Sequence, residues 1–368
     1  MAIVHERFTE VAGSEHVVEQ LAAQWPNAPI YAAFATSAGI PAGLTSQPRT
    51  TWLDTCYGLV GRRSYAPLTP LIPAAFRSLD LRAFDSVLVS HHAFAMQAAL
   101  ATHSAGVPVV AYVHSPARWA WDPALRAQEA GGVVGSAVLT ALSRMTRKAE
   151  LAAVKRVSQV VANSTAVAER IALWWDRTAV VVHPPVDTDA FTPNPSTERE
   201  DFFLLAGRLV PYKRPDLAIA AAMRAGKRLV VAGDGRAMRS CRTVAAGGDV
   251  TFLGRVPHDQ LLDLHRRTEA LLMPGVEDFG IVPVEAMATG TPVIALGAGG
   301  AIDTVIPGST GVLIQPGDDE CVVERFASAM KTFDRSDYDP DHVRRHAEAF
   351  SRANFRARMQ TVMDESTG

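Results

Sequence analysis

The stretch PGVEDFGIVPVEAMATGTPVIA, Pro274 to Ala295, decides how this chain is read. An apolar run, ALLMPG, stops at Pro274, a helical pattern follows in IVPVEAMATG, Gly290 breaks it, and TPVIAL opens a second apolar run. Short all-apolar strands with a helix between them are the pattern of a parallel sheet covered on both faces. The same alternation extends through the second half. DFFLLAGR, KRLVVAGDG, VTFLGRV and TGVLIQP are strand candidates, and RPDLAIAAAMRAG, PHDQLLDLHRRT and DDECVVERFASAMKTF are helices. This half is expected to be a Rossmann-like domain.

The first half has the same order, less regularly. AIVH, APIYAAFA, SVLVSHH, VPVVAYVH, QVVANS and AVVVHPP are strand candidates, and SEHVVEQLAAQW, FAMQAALATHSAG, SAVLTALSRMTRKAELAAVKR and STAVAERIALWW are helices. The proline-marked segment HPPVDTDAFTPNP, His183 to Pro195, has the composition of a linker. DHVRRHAEAFSRANFRARMQTVMDE closes the chain as one amphipathic helical pattern. The expected organisation is an α/β domain over 1–188, a second over 189–340, and a terminal helix over 341–368 that packs across a domain surface.

Composition narrows the function. A chain of 368 residues suits two domains, and a formal charge of -2 lacks the basic field that nucleic-acid binding needs. Cys56, Cys241 and Cys321 have neither metal nor redox spacing, which points to a reducing, cytoplasmic setting. The most lipid-like stretch, AGGVVGSAVLTALS from Ala130 to Ser143, is shorter than the roughly 18 residues a membrane span needs. SRMTRKAELAAVKR, Ser143 to Arg156, sets Arg144, Arg147, Lys148, Lys155 and Arg156 beside apolar residues, a composition of solvated helix faces and also of peripheral contact with an anionic membrane.

In open α/β sheets ligands bind beyond the carboxyl ends of the strands. Glu277 falls just past ALLMPG, and Glu285 falls in the first turn of the next helix, where it either serves a ligand or complements the helix dipole. Between them DFGIV offers main-chain N–H groups at a helix N-terminus, a setting that favours a phosphate. In AGRLVPYKRPD, Arg208 and Lys213 lie on a strand-to-helix loop, as two cations for a diphosphate or as ordinary solvated charges. VAGDGR, Val231 to Arg236, has glycines that allow close approach of a nucleotide or simply turn the chain. Asp187 and Asp189 in VDTDAF have Asp-x-Asp spacing, but no further carboxylates cluster nearby and a loop is expected rather than a metal site.

Taken together, GRLVPYKR, VAGDG, FLGRV, EDFGIVPVEAMATGTPVIA and GGAIDTVIPGSTGVLI resemble the nucleotide-binding half of the retaining glycosyltransferase family 4, with its E-x7-E motif. HERFTEVAGSEHVVEQL, YVHSPARWAWD, VANSTAVAERI and HPPVDTDAF extend the resemblance over nearly the whole chain. The form PGVEDFGIVPVEAMATG, with YVHSPARWAWD, is most similar to bacterial members that transfer mannose from GDP-mannose.

The resemblance implies a GT-B fold, two Rossmann-like domains facing an interdomain cleft with the final helix, 341–368, packing back on the first domain, and metal-independent hexosyl transfer with retention and no cofactor. By the same resemblance, Arg208 and Lys213 bind the donor diphosphate, Glu277 holds donor-sugar hydroxyls, and Glu285 lies near the ribose. Phe279, Gly280, Ile281 and Val282 supply main-chain contacts, and Gly13, Gly207, Gly233, Gly235, Arg255 and Val256 complete the donor site. His114 stands beside the reacting sugar, and Trp119, Trp121 and Asp122 either line an acceptor pocket or pack the first domain. Two positions depart from the family pattern: Gly13 stands between Ala12 and Ser14 where paired glycines are common, and Arg214 follows Lys213 where glycine is common. Other nucleotide sugars (UDP, ADP, dTDP), another reaction on the same fold, and a non-catalytic sugar-nucleotide-binding subunit stay open, as do the acceptor and the oligomeric state.

Overall fold

A computed structural model describes residues 1–123, 125–126 and 132–367. The chain divides into two compact units, Met1–Pro185 with Phe355–Gly368, and Val186–Asn354. In the first unit, β1 (Ala2–His5), β2 (Ile30–Ala32), β3 (Arg49–Thr50), β4 (Val87–His91), β5 (Val109–Val113), β6 (Gln159–Ala162) and β7 (Val180–Val181) form a sheet in the order β3-β2-β1-β4-β5-β6-β7. Every pairing in it is parallel. In the second, β8 (Phe203–Ala206), β9 (Leu229–Ala232), β10 (Val250–Gly254), β11 (Leu271–Met273), β12 (Val293–Leu296) and β13 (Gly311–Ile314) form a parallel sheet ordered β10-β9-β8-β11-β12-β13.

Both sheets are doubly wound. Strand order reverses between β1 and β4 in the first and between β8 and β11 in the second, and the carboxyl ends of those pairs are where such sheets bind ligands. The central strands are buried throughout, which is why they read as unbroken apolar runs. Each sheet has a core on both faces. In the second unit Phe203, Leu205, Val231 and Phe326 pack on one side and Leu204, Val230, Val284 and Phe350 on the other.

Three expectations are corrected. The closing segment is not one helix: Pro340–Glu348 and Arg352–Thr367 are separate, and between them Ser351 bridges to Val186 while the Val186 N–H donates to the Phe350 carbonyl. The first of these helices stays in the second unit because Val343 and Ala347 are buried there, and only from Phe355 does the chain join the first unit, through Phe355, Met359, Val362 and Met363. The expected linker is partly core, since Val186 and Phe191 are buried in the second unit and Arg344 holds the Thr188 and Phe191 carbonyls. FAMQAALATHSAG is not one helix but a four-residue α-helix, Ala98–Ala101, between two 3-10 turns.

Among the described residues no helix is long and apolar enough to cross a membrane. Of the stretch 130–143, residues 130 and 131 lie outside the described residues; the rest begins the helix Gly132–Val154.

Candidate active site

The second unit's switch point is assembled by backbone contact. Gly207 ends β8 at φ 120° and donates its N–H to the Ala232 carbonyl, and Gly233, at φ 151°, lies so close that a Cβ on it would sit 1.8 Å from the Gly207 oxygen. A Cβ on Gly235 would lie 2.3 Å from the Leu209 carbonyl oxygen. These are positions where side chains are excluded by the neighbouring loop as well as by φ. After β11, Gly275 meets Lys213, with a Cβ there reaching 2.5 Å from its Cα and carbonyl oxygen.

Two glycines to which the sequence reading gave no individual role, the first two of GGAIDTVIPGSTGVLI, close the other side. Gly299, at φ 64°, and Gly300 press on the loop that carries Glu277, a Cβ on Gly300 would lie 2.2 Å from the Phe279 oxygen, and the Gly300 N–H donates to the Glu277 carbonyl at 2.9 Å. Their signal was GAGG directly after the strand TPVIAL, in the position where a clamp on the neighbouring loop would sit.

Into this frame the side chains project. Arg208, Lys213, Glu277, Val282 and Pro283 line one pocket with Gly207 and Gly275. Lys213 Nζ lies 2.9 Å from Glu277 Oε1, so the two groups assigned to diphosphate and sugar are already paired, whereas Arg208 is exposed at the rim. Gly280, at φ 92°, starts the helix Ile281–Ala288, whose first N–H groups lack intrahelical acceptors. The Phe279 side chain is buried against Phe350.

Glu285, half-buried on that helix, is pushed up to about 7 by burial and by Asp187, against the pull of Lys213. Asp187 pairs with Arg352 at 2.9 Å and takes the Ala190 N–H at 3.2 Å, contacts that tie this loop down. Arg255 is exposed just past β10, and Val256 packs beside the core on the Leu204 side of the sheet.

Arg214 resolves the departure noted in the sequence. It adopts φ 51°, the left-handed conformation that glycine takes freely, and its guanidinium grips Asp319 at 2.7 and 2.8 Å and Asp216 at 3.0 Å. The turn after Lys213 is therefore kept, with side-chain ion pairs offsetting a cost of roughly 1–2 kcal/mol for the left-handed backbone.

At the first unit's switch point polar side chains gather beneath the strand ends. The Glu6 carboxylate accepts the N–H groups of Ala93, Phe94 and Ala95, pinning the loop after β4. His114, just past β5, hydrogen-bonds Ser90 at 2.8 Å and stacks on His92 at 4.5 Å. Burial holds His114 well below the usual histidine range, with His92, His5 and His91 acting in the same direction, so the ring is neutral. Burial also brings His92 down to about 4. Gly13 opens the helix Gly13–Gln24, and Glu15 reaches back to the Ala12 N–H.

The acceptor candidates are engaged in packing. The Trp121 indole donates to the buried Glu150 and stacks on Trp174 at 5.8 Å, Trp119 packs against the first unit's core, and Asp122 accepts the Leu125 N–H.

The comparisons agree with this architecture. The model described as Glycosyltransferase Family 4 matches residues 11–190 and that described as Glycosyl transferases group 1 matches residues 187–338. The matches meet end to end, and the chain belongs to the glycosyltransferases of GT-B fold. A D-inositol 3-phosphate glycosyltransferase of Mycolicibacterium smegmatis is 35% identical over 164 residues, 39% of this chain and 38% of that protein, so the match spans well under half of the relative. Anabaena HepE, in complex with UDP and glucose, superposes with TM-score 0.71 at 17% identity over 99% of this chain and 100% of that one. Sucrose-phosphate synthase from Thermosynechococcus elongatus superposes with TM-score 0.69 at 17% identity, covering 99% of each chain.

Proposed function

We propose that this protein is a retaining, metal-independent hexosyltransferase that moves a sugar from a nucleotide sugar to an acceptor hydroxyl, with GDP-mannose the favoured donor. The observation that carries the reading is the Lys213–Glu277 pair held at 2.9 Å by glycine-only backbone contacts, between the cation-bearing loop and a helix N-terminus. Breaking a sugar–phosphate bond builds negative charge on the diphosphate. Lys213, Arg208 and the helix-terminal N–H groups of Ile281 and Val282 would meet that charge without reorganisation, which is where such sites gain most of their rate. A diphosphate drawing Lys213 away leaves Glu277 free to accept hydroxyls of the donor sugar, and Glu285 serves the ribose. His114 of the first unit serves the reacting sugar. With charge handled in this way the leaving phosphate can take the acceptor proton on the same face, so configuration is retained.

The mannose assignment rests on the form of Pro274–Gly290 together with YVHSPARWAWD. HepE, crystallised with UDP and glucose, makes UDP-glucose the second donor to try. D-inositol 3-phosphate, in the name of the mycolicibacterial relative, is the first acceptor to try. Trp119, Trp121 and Asp122 bound the acceptor region in this reading. Arg144, Arg147, Lys148, Leu151 and Lys155 share one open groove with Trp121, a basic and partly apolar face suited to an anionic membrane surface on which a lipid-linked acceptor would lie.

The test is turnover with GDP-mannose, UDP-glucose, ADP-glucose and dTDP-glucose in EDTA, reading nucleoside diphosphate release and the anomeric configuration of the product. Transfer with retention from GDP-mannose supports the reading, and transfer from another donor replaces the nucleotide. An inverted product or an absolute need for a divalent cation sinks the mechanism. Flotation with anionic vesicles that leaves the protein at the bottom of the gradient removes the membrane role.

A further inference from the structure

Four side chains from three strand ends and one helix form a single hydrogen-bonded line in the first unit. Glu15 Oε1 lies 3.2 Å from His5 Nε2, His5 Nδ1 lies 3.0 Å from Ser90 Oγ, and Ser90 Oγ lies 2.8 Å from His114 Nε2. His5 and Ser90 are register partners on β1 and β4, so their side chains share a face and the contact is fixed by the sheet itself. His5 and Ser90 are fully buried, and Glu15 and His114 nearly so.

We propose that His5 and Ser90 are positioning residues that fix the tautomer of His114, holding its proton on Nε2 and leaving Nδ1 as a lone-pair acceptor. The direction of the line follows from its far end. Glu15 takes the Ala12 N–H at 2.9 Å and the Ser14 hydroxyl at 2.9 Å on Oε2. Burial pushes this carboxyl up, but the hydrogen bonds it takes from His5, the main chain and Ser14 outweigh it and hold Glu15 at about 2, so it is an acceptor only. His5 must then donate from Nε2, which makes Nδ1 an acceptor in the neutral ring. Ser90 donates its hydroxyl proton to that nitrogen, and its oxygen accepts from His114 Nε2–H. Running the line backwards requires both nitrogens of the fully buried His5 to carry protons.

A lone pair on Nδ1 accepts a hydroxyl proton, whereas an N–H there would donate to the hydroxyl oxygen. The inference rests on the role given to His114 under the proposed function, yet the tautomer is measurable without turnover. The experiment is a long-range ¹H–¹⁵N spectrum of the full chain labelled with ¹⁵N-histidine, with His114→Gln identifying its signals. The expected result is His114 protonated on Nε2 alone, with Ser90→Ala populating both tautomers. Ser90→Ala is also expected to lower kcat about tenfold or more with donor KM little changed, and Ser90→Thr to restore both readouts. A wild-type His114 protonated on Nδ1, or a Ser90→Ala spectrum identical to wild type, overturns the proposal. If no donor turns over, the transferase reading fails, and the spectrum still decides the tautomer.

Discussion

Gly275→Ala isolates the backbone clamp from the charges it positions. The added methyl would lie 2.5 Å from the Lys213 Cα and carbonyl oxygen, whereas ordinary contact begins near 3.4 Å, so the two loops must part by about 0.9 Å. Gly275 does not have a positive φ, so the cost is steric and not a matter of backbone strain. Overpacking of this kind costs about 1–3 kcal/mol, and a unit of this size loses roughly 2–4 °C in Tm per kcal/mol. The functional effect should be larger. A displacement near 1 Å at a group that meets the transition state costs on the order of 100-fold in rate, so kcat/KM should fall about that far while the protein remains folded. The assay is nucleoside diphosphate release under saturating acceptor, paired with thermal unfolding and with Lys213→Ala, whose own loss is expected at about 10²–10³. In the double variant Gly275→Ala with Lys213→Ala the two losses should not add, because both act through Lys213. A Gly275→Ala protein with wild-type kcat/KM and Tm would refute the clamp, and additive losses would show that Gly275 acts on something other than Lys213.

Glu285, raised from 4.5 to about 7 in the folded chain, is neutral in both states below about pH 4.5; between that value and about 7 the unfolded chain ionises first. Folding stability should therefore fall across that window through this group and level off above it. Glu285→Gln should flatten the fall in a Tm–pH series, and an unchanged slope would remove Glu285 as its source. Arg214→Gly should be more stable than Arg214→Ala by about 1 kcal/mol in denaturant unfolding, since both lose the ion pairs to Asp216 and Asp319 but only glycine takes φ 51° without strain. Met359→Ala, at a fully buried position between the terminal helix and the first unit's sheet, should cost about 2–5 kcal/mol by the same measurement; a loss under 0.5 kcal/mol would show that the helix is not part of that core.

The second sheet was legible because its central strands are buried on both faces. LLA, LVVA, LLM and VIAL carry no polar interruption, and glycine or proline punctuates nearly every junction. What the sequence hid had no apolar signal to give. β3 is two exposed residues, Arg49 and Thr50, recognisable only by their pairing with Tyr31 and Ala32. The break at 349–351 falls inside a continuous helical pattern, because it is set by a backbone bridge to Val186 that no local propensity reports. The cations, Glu277 and the loop glycines stood out as charges and turns after strands. The line from Glu15 to His114 did not, since His5 and Ser90 are 85 positions apart and meet only when β1 and β4 become neighbours.

That difference separates two ways in which the fold makes chemistry. In the second unit the apparatus is mostly main chain: glycines at 233, 235, 275, 299 and 300 let loops touch, and two cations and one carboxylate are hung on the frame they make. Such a frame tolerates exchange of a side chain wherever the backbone angle survives, and Arg214 is the case in point, holding a glycine conformation through ion pairs to Asp216 and Asp319. In the first unit the apparatus is side chain on side chain, buried and short of alternatives. Removing the Ser90 hydroxyl would leave two histidine nitrogens facing no partner. Substitution should therefore be graded in the second unit's loops, where cost tracks how far Lys213 and Glu277 move, and abrupt along the buried line, where a single missing hydroxyl lets His114 populate both tautomers.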